Sequence, residues 1–285
     1  LDAGKAIALM VGQDRPLWDF EDIGDNCNRV NVAGMAPVVA VPTTAGTGSE
    51  VGRASVITDD EAHIKRIIFH ARMLPAVVIL DPELCLGLPP KITAATGMDA
   101  LSHNLEAYCS PLFHPMAEGI ALEGMRLVQQ YLPRAVSHGA DVEARLQMLV
   151  ASSMGATAFQ RGLGAMHALA HPLGALYDAH HGLLNAVLMP YVLVANRASI
   201  EAQMERMARY LNLAKPGFVG VLDWVLHLRN EVGIPHSLSE IGIDDKRIEQ
   251  VGQMAEVDPS AGTNPIAFTA GQYSQLFEKA LRGTL

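Results

Sequence analysis

The spacing of apolar residues changes near residue 88, and this change predicts two regions with different secondary structure. Before that point, short apolar runs are bounded by Pro, Gly or Asp, a pattern typical of strands in a mixed sheet. After it, apolar residues recur with the period of a helix, and almost no alternation of β-branched residues remains. We therefore expect the remainder of an α/β domain over 1–87 and an all-helical domain over 88–285.

The first region opens with a predicted helix that is already under way at residue 1, so we expect residues upstream in a longer chain. In the second region Pro89 and Pro90 precede the first helix, which contains the stretch TAATGMDALSH. Pro172 disfavours helical geometry at His171, so we expect that helix to end or kink there. The predicted strands are 36–42, 54–58, 65–69 and 76–80, and the later helices are 116–131, 141–160, 163–171, 182–196, 199–211, 217–232, 244–255 and 270–282.

Composition and charge narrow the class of protein. The 285 residues are 49% hydrophobic with a mean hydropathy of +0.18, which is typical of a globular protein with a large core. A net charge of −9 without any cluster of basic residues argues against nucleic-acid binding. We find no apolar run of transmembrane length and expect no membrane partner. Three widely spaced cysteines, Cys27, Cys85 and Cys109, favour a reducing, cytoplasmic location.

Histidines are concentrated in GLGAMHALAHPLGALYDAHHG, residues 162–182, which otherwise has the composition of a buried helix. A single histidine there is readily explained as a hydrogen-bonded core residue, but four favour a metal site. Asp99 and His103 are four residues apart, as are His167 and His171, so each pair shares a helix face. Taken alone, the first spacing is better explained by an ordinary Asp–His pair on a helix surface. Asp99, His103, His167 and His181 together would suit Fe²⁺ or Zn²⁺ better than Ca²⁺ or Mg²⁺.

A second candidate site is the loop PTTAGTGSE, residues 42–50, directly after the predicted strand at 36–42. Its backbone N–H groups and hydroxyls could bind a phosphate or a ribose. Clusters of Gly, Ser and Thr are also common in ordinary turns, and this loop has neither the Walker lysine nor the GxGxxG pattern.

Taken together, the motifs DAGKAIA, VPTTAGTGSEV, TAATGMDALSHNLEAY and the histidine-rich segment resemble the iron-containing (group III) alcohol dehydrogenase family. Lactaldehyde reductase and 1,3-propanediol dehydrogenase are relatives in that family, and AGTNPIAFT at 261–269 is similar to its C-terminal signature. The resemblance implies an architecture like that of dehydroquinate synthase, with an α/β domain that binds NAD(P) and a helical domain that holds one divalent metal.

The resemblance also implies roles for individual residues. His171 is expected near the nicotinamide, either as a proton relay or, our preferred interpretation, as a residue that orients a metal ligand. His180 has no counterpart in the family pattern and is expected to be a neighbour of the site at most. The implied metal ligands are Asp99, His103, His167 and His181. The implied contacts of the dinucleotide are Asp2, Thr43, Thr44, Thr47 and Lys65.

The implied reaction is hydride transfer between NAD(P) and a small alcohol or aldehyde, with Fe²⁺ or Zn²⁺ lowering the pKa of the alcohol. Relatives assemble into dimers or larger oligomers, so we expect a homo-oligomer. If Arg161 faces the cleft, it would favour a substrate that carries a carboxylate or phosphonate. Three alternatives remain open: a maleylacetate reductase-like enzyme, a lyase of the dehydroquinate synthase type, and a metal-binding fragment that is inactive because residues upstream are lacking.

Overall fold

The computed structural model of the chain describes residues 1–61 and 64–285, and within them helices dominate. In the described part of the N-terminal region we find one α-helix and four short strands, whereas eight α-helices follow residue 89. The elements are α1 (Asp2–Met10), β1 (Val39–Ala40), β2 (Ala54–Asp59), β3 (Ile64–Phe69), β4 (Val77–Val78), α2 (Pro90–Cys109), α3 (Pro115–Ser137), α4 (Val142–Ala158), α5 (Ala165–Tyr177), α6 (His181–Tyr210), α7 (Gly217–Glu231), α8 (Ile248–Glu256) and α9 (Ala270–Arg282).

All four predicted strands are present, but they form two separate pairs within the described residues and not one mixed sheet. β1 and β4 pair in parallel, and β2 and β3 pair antiparallel with Ala54 opposite Phe69. The expectation of buried strands is wrong for both pairs, because Val39 and Val77 are half exposed or more, and Val56 and Ile64 of the second pair are exposed as well. Two strands alone cannot cover both of their faces, and a short apolar run does not reveal which faces are covered.

The apolar side chains collect in two clusters. The small one joins α1 to the antiparallel strand pair through residues that include Leu9, Phe20 and Ile68. The large one fills the space between the helices from α2 to α9. Packing there is tight: a Cβ at Gly97 would lie 2.2 Å from Leu132 Cδ1, so a side chain at this position on α2 would force Leu132 of α3 to move.

The prediction that Pro172 ends or kinks the helix at His171 is wrong. Pro172 lies inside α5, which continues to Tyr177 and ends where Asp178 adopts a left-handed conformation with φ of 50°. A proline removes one backbone hydrogen bond, and burial of Pro172 among neighbouring helices offsets that loss. His180 then begins α6 as its N-terminal cap, because its Nδ1 accepts a hydrogen bond from the N–H of Leu183 at 3.3 Å.

α6 is a single helix of 30 residues where the sequence predicted two, at 182–196 and 199–211. By length and composition alone it could cross a membrane, so the statement that no apolar segment reaches that length is wrong. However, 67% of its most apolar stretch is buried inside the molecule. Two of the buried residues of this helix are polar, Asn185 and Asn196. These features are those of the central helix of a packed core.

Candidate metal centre

Four side chains from three helices meet at one point of the helical region. α2 supplies Asp99 and His103, α5 supplies His167, and α6 supplies His181 at its first residue. One potential ligand atom from each of these residues lies within 4.8 Å of the other three. The first three residues are buried and His181 is partly exposed, so the group has one side open to solvent. The structure thus brings together all four residues that the sequence proposed as ligands.

The backbone of α6 reaches this point because its second residue is a glycine. A Cβ on Gly182 would lie 2.5 Å from the carbonyl oxygen of Ala95 and 3.0 Å from Asp99 Cβ. The helix could not start so close to α2 with any larger residue. The glycine therefore fixes how near His181 comes to Asp99, whose Oδ1 lies 3.8 Å from His181 Nε2.

Hydrogen bonds to the Nδ1 atoms orient two of the three imidazoles. His103 Nδ1 lies 3.2 Å from the carbonyl oxygen of Gly46, and His167 Nδ1 lies 2.7 Å from Glu106 Oε2. A carbonyl oxygen only accepts, so His103 carries its proton on Nδ1 and leaves the lone pair on Nε2 free. The same arrangement follows at His167 when the Glu106 carboxylate accepts its Nδ1 proton.

The arrangement around Asn185 shows that the four residues fit a cation. Asn185 Nδ2 lies 2.9 Å from Asp99 Oδ1, 3.2 Å from His167 Nε2 and 3.1 Å from His181 Nε2. An amide nitrogen has two protons for these three acceptors, while Asn185 Oδ1 is buried without a hydrogen-bond partner among the described residues. More lone pairs than protons converge here, and a divalent cation satisfies such a set.

The protonation of these groups favours metal binding at neutral pH. Burial lowers the pKa of His181 to about 4, although Asp99 opposes that shift, and burial also holds the pKa of His167 well below its usual value. Burial works to raise the pKa of Asp99, but the neighbouring imidazoles and Asn185 outweigh it and the pKa lies below its ordinary value. Neutral imidazoles and an ionised carboxylate are the forms that bind metals.

His171 lies beside the group without belonging to it. Its ring stacks on that of His181 with 5.4 Å between centroids, and its Nδ1 is 2.8 Å from Asp258 Oδ2. The side chain is 40% exposed, so its outer nitrogen is accessible from the open side. His180 caps α6 instead, in agreement with the expectation that it is at most a neighbour.

The loop at 42–50 reaches the metal centre through its backbone. Gly46 accepts the hydrogen bond from His103, and the loop follows β1 directly, with Thr43 and Thr47 exposed and Thr44 partly buried. Exposed Lys65 on β3 is close enough for its positive charge to lower the pKa of His181, although burial is the larger cause. The structure therefore places the proposed cofactor loop and this lysine near the four clustered residues.

Asp2 lies beside the same loop, but its carboxylate is already hydrogen-bonded to other residues of the chain. It accepts hydrogen bonds from the Ser49 hydroxyl and from the N–H of Val56 at 2.9 Å, and Lys5 Nζ lies 3.6 Å away. Asp2 thus connects α1, the loop and β2. Its direct contact with a dinucleotide stays a prediction.

The expectation for Arg161 in the cleft is wrong. The side chain is buried, where it pairs with Glu118 at 3.0 Å and donates to the carbonyl oxygens of Ala107, Tyr108 and Leu112. An arginine bound to the carbonyl oxygens of the chain has no free face for a substrate anion. Its role is to close the end of α2.

Sequence reasoning missed Glu106, Asn185 and Asp258, which contact the clustered histidines or His171. Glu106 follows Asp99 by seven residues and His103 by three, and Asn185 follows His181 by four, so helical spacing could have found both. Asp258 is distant in sequence from His171, and no local pattern connects them.

Comparisons with known proteins agree with this geometry. Residues 93–281 match the profile of the Fe-containing alcohol dehydrogenase family, C-terminal, and residues 1–82 match that of iron-containing alcohol dehydrogenase. The chain belongs to the iron-containing alcohol dehydrogenase family. Membership makes it an oxidoreductase, a metal-dependent alcohol dehydrogenase, and it confirms the resemblance stated from the motifs.

Similar members of the family cover nearly the whole chain. It is 38% identical to 4-hydroxybutyrate dehydrogenase of Cupriavidus necator, over 99% of this chain and 75% of that protein. It is 36% identical to 1,3-propanediol dehydrogenase of Klebsiella pneumoniae, over 98% of this chain and 73% of that protein.

Solved structures confirm the fold class, an α/β part joined to a helical part. A crystal structure of 1,3-propanediol oxidoreductase matches with a TM-score of 0.92 and 34% identity, over 98% of this chain and 74% of that one. Sulfoacetaldehyde reductase from Bifidobacterium kashiwanohense, in complex with NAD⁺, matches with a TM-score of 0.89 and 29% identity, over 98% and 73%.

Proposed function

We propose that this chain transfers hydride between NAD(P) and a small alcohol or aldehyde, with one divalent Fe²⁺ or Zn²⁺ held by Asp99, His103, His167 and His181. The observation that carries the proposal is the convergence of these four ligand atoms within 4.8 Å, open on one side. A structural metal site is closed by its protein ligands, whereas a catalytic site leaves a position for substrate.

The division of labour follows from what each group can do. A divalent cation bound in this position would supply Lewis acidity toward an alcohol hydroxyl or a carbonyl, and a bound nicotinamide cofactor would supply the hydride chemistry. The protein residues hold the two reactants in contact, and the Gly46–His103 hydrogen bond between the loop and the metal centre supports this role.

His171 is the candidate for moving the proton that leaves the alcohol. The hydrogen bond of its Nδ1 goes to Asp258 and to none of the four clustered residues, which supports the relay role over the orienting role. Asp258 fixes the Nδ1 proton, so the accessible Nε2 carries the lone pair that accepts a proton. The ring stacks on His181, which keeps it next to the reacting centre.

The loop at 42–50 and Lys65 are the candidates for dinucleotide contact. Exposed backbone and hydroxyl groups of Thr43 and Thr47 can donate to phosphate or ribose oxygens, and the Lys65 ammonium adds positive charge. The two apolar clusters support a boundary near residue 87 between the part that binds the dinucleotide and the part that binds the metal. Assembly into a homodimer also stays a prediction.

The test uses protein purified without oxygen, stripped with a chelator and reloaded with Fe²⁺ or Zn²⁺. We expect one ion per chain and steady oxidation of NADH by a small aldehyde in the reloaded protein only. Turnover that needs metal but consumes no NADH would favour the lyase alternative. One bound ion with no change in NADH fluorescence would favour the metal-binding fragment.

The His171→Ala variant separates the two roles of that histidine. A relay predicts full metal content and a changed pH dependence of turnover, with kcat lower by about 10²-fold, because general acid–base catalysis contributes at least that much. If His171 instead orients a ligand, the metal content falls and the pH profile keeps its shape.

A further inference from the structure

The buried carboxylate of Glu106 is hydrogen-bonded to several groups beside the metal centre. Its Oε2 accepts from the N–H of Gly164 at 2.9 Å and contacts His167 Nδ1 at 2.7 Å, while Oε1 accepts from the N–H of Met166 at 2.7 Å. The residue is only 4% exposed, so water does not compete for these contacts. One carboxylate therefore receives three donors that all lie at the start of α5.

α5 depends on this carboxylate because its own N-terminal cap is a glycine. Gly164 offers no side chain, and the first N–H groups of the helix would be unpaired in the core without outside acceptors. Glu106 accepts two of them, and Asn264 Oδ1 accepts that of Ala165 at 3.0 Å. A Cβ at Gly164 would lie 2.8 Å from Asn264 Oδ1 and 3.0 Å from Glu106 Oε1, so a side chain there would displace both acceptors.

We propose that Glu106 is a positioning residue for the metal centre, which acts through His167. It fixes the height of α5 relative to α2, the helix that carries Asp99 and His103, and it keeps the His167 proton on Nδ1. The lone pair on Nε2 then points at the other ligand atoms, where Asn185 Nδ2 marks their meeting point at 3.2 Å. This inference rests on the proposed function, because it assumes that the four residues bind a cation.

Glu106→Gln replaces one acceptor oxygen with an NH2 group at almost unchanged size, so the amide cannot satisfy donors that reach both oxygens of Glu106. If its NH2 group replaces Oε2, it faces Nδ1, and His167 must take the other tautomer with its proton on Nε2. If the NH2 group replaces Oε1, it faces the N–H of Met166. The first orientation protonates Nε2, and in the second the neutral amide oxygen accepts from Nδ1 more weakly than a carboxylate and makes the ring less basic. We therefore expect Zn²⁺ affinity to fall about 10- to 100-fold in either orientation.

The measurement is competition for Zn²⁺ against a chromophoric chelator, with the visible absorption of bound Co²⁺ as a second readout. We expect the Co²⁺ absorption bands of Glu106→Gln to shift, because the basicity of one ligand changes. The matched control is Glu118→Gln, which removes the charge of a partly buried carboxylate that pairs with Arg161 and Arg206 and contacts none of the four clustered residues. This control should keep the affinity and the spectrum of the original chain.

A double-mutant comparison shows whether Glu106 acts through His167. In a His167→Ala background, Glu106→Gln should cause no further loss of Zn²⁺ affinity. In a His181→Ala background, where the Glu106–His167 pair is intact, it should cause its full loss. Equal losses in the two backgrounds would show a general effect on folding and overturn the proposal.

Failure of this inference and failure of the proposed function give different results. If the original chain binds no ion, both fall. If it binds one ion and Glu106→Gln changes the affinity less than about threefold with an unchanged Co²⁺ spectrum, only the positioning role falls. If Glu106→Gln does not fold, Glu106→Asp replaces it: the shorter carboxylate keeps the charge at the helix start but withdraws from Nδ1, and the same loss of affinity is expected.

Discussion

Asp99, His103 and His167 are almost completely buried, at positions where apolar residues would pack without a desolvation penalty. Their hydrogen bonds repay part of that penalty, but the surplus of lone pairs around Asn185 leaves the set incomplete without a cation. The strongest evidence for the function of this chain therefore comes from these buried polar side chains.

Replacing the most exposed of the four residues tests the ligand set with little risk to folding. His181→Ala should lower metal affinity by more than about 100-fold, since even residues that only orient a ligand contribute 10- to 100-fold. Hydride transfer should fall with metal content. The matched control is the adjacent His180→Ala, which removes a cap of α6 but no ligand. Metal content and activity of this control should be unchanged; equal losses in both variants would contradict the assignment.

Arg161→Ala tests whether this arginine stabilises the fold and does not bind substrate. Removal of the buried guanidinium leaves Glu118 with one partner fewer and three carbonyl oxygens without this donor, so we expect the free energy of unfolding to fall by about 3 kcal/mol. The exposed ion pair of Arg197 with Glu201 provides the control, and Arg197→Ala should change stability by less than about 0.5 kcal/mol.

Urea denaturation measures both changes, and substrate assays complete the test of Arg161. The ratio of rates with neutral and anionic aldehydes should be the same in the original chain and in Arg161→Ala. A selective loss of activity toward anionic aldehydes would return Arg161 to the substrate site.

Residue spacing along the helices could predict most of the candidate site, but not the hydrogen-bond partners that come from distant parts of the sequence. Asp99 and His103 share a face of α2, and the same rule extended by one turn reaches Glu106. The Gly46 carbonyl oxygen and Asp258 approach the histidines only through the tertiary fold, so no local pattern indicates them. The sequence could indicate candidate ligands because Asp99 and His103 share a helix face and histidines are concentrated in 162–182. It could not indicate the contacts that orient them.

At the scale of elements, helix positions could be predicted well and helix ends poorly. α7 and α9 begin at the predicted residues, because Pro216 and the capping box of Thr269 mark those starts locally. α5 continues past Pro172. α6 is one continuous helix where separate helices were predicted at 182–196 and 199–211. Burial against other helices decided both cases, and burial is a property of the whole fold.

The path of the loop at 42–50 depends on Gly48. This residue has φ of 62°, and a Cβ would lie 2.2 Å from that of Ala156 on α4. Gly48→Ala should displace the loop and weaken NADH binding roughly 10-fold, because overpacking of this kind costs about 1–3 kcal/mol. Titration of NADH fluorescence measures the change.

Gly24→Ala is the matched control for the loop. Gly24 has a similar φ of 58°, but a Cβ there meets no atom within 4 Å. This variant carries the same backbone strain without the collision, so its NADH affinity should equal that of the original chain. Equal weakening in both variants would mean that the contact of the loop with α4 does not determine binding.

At the scale of the whole molecule, the metal centre joins three helices that are separated in sequence. α2 contributes two of the proposed ligands, and α5 and α6 contribute one each. α2 and α6 are also central to the large apolar cluster. The division into a mixed and a helical region could be predicted because hydrophobic periodicity reports it directly. The separation of the four strands into two pairs could not, because pairing depends on contacts between distant segments.

A cation bound between these helices should stabilise the folded state as a whole. At a free Zn²⁺ concentration of 100 times Kd, the free energy of unfolding should rise by about 2.7 kcal/mol, because the ion binds the folded chain and not the unfolded one. Amide hydrogen exchange should slow in α2, α5 and the start of α6, while the β2–β3 pair, which carries no ligand, should exchange as before. A chelator should reverse both effects, and His181→Ala should show neither. Equal protection of β2–β3 would mean that the ion acts on the chain in some way other than by joining these three helices.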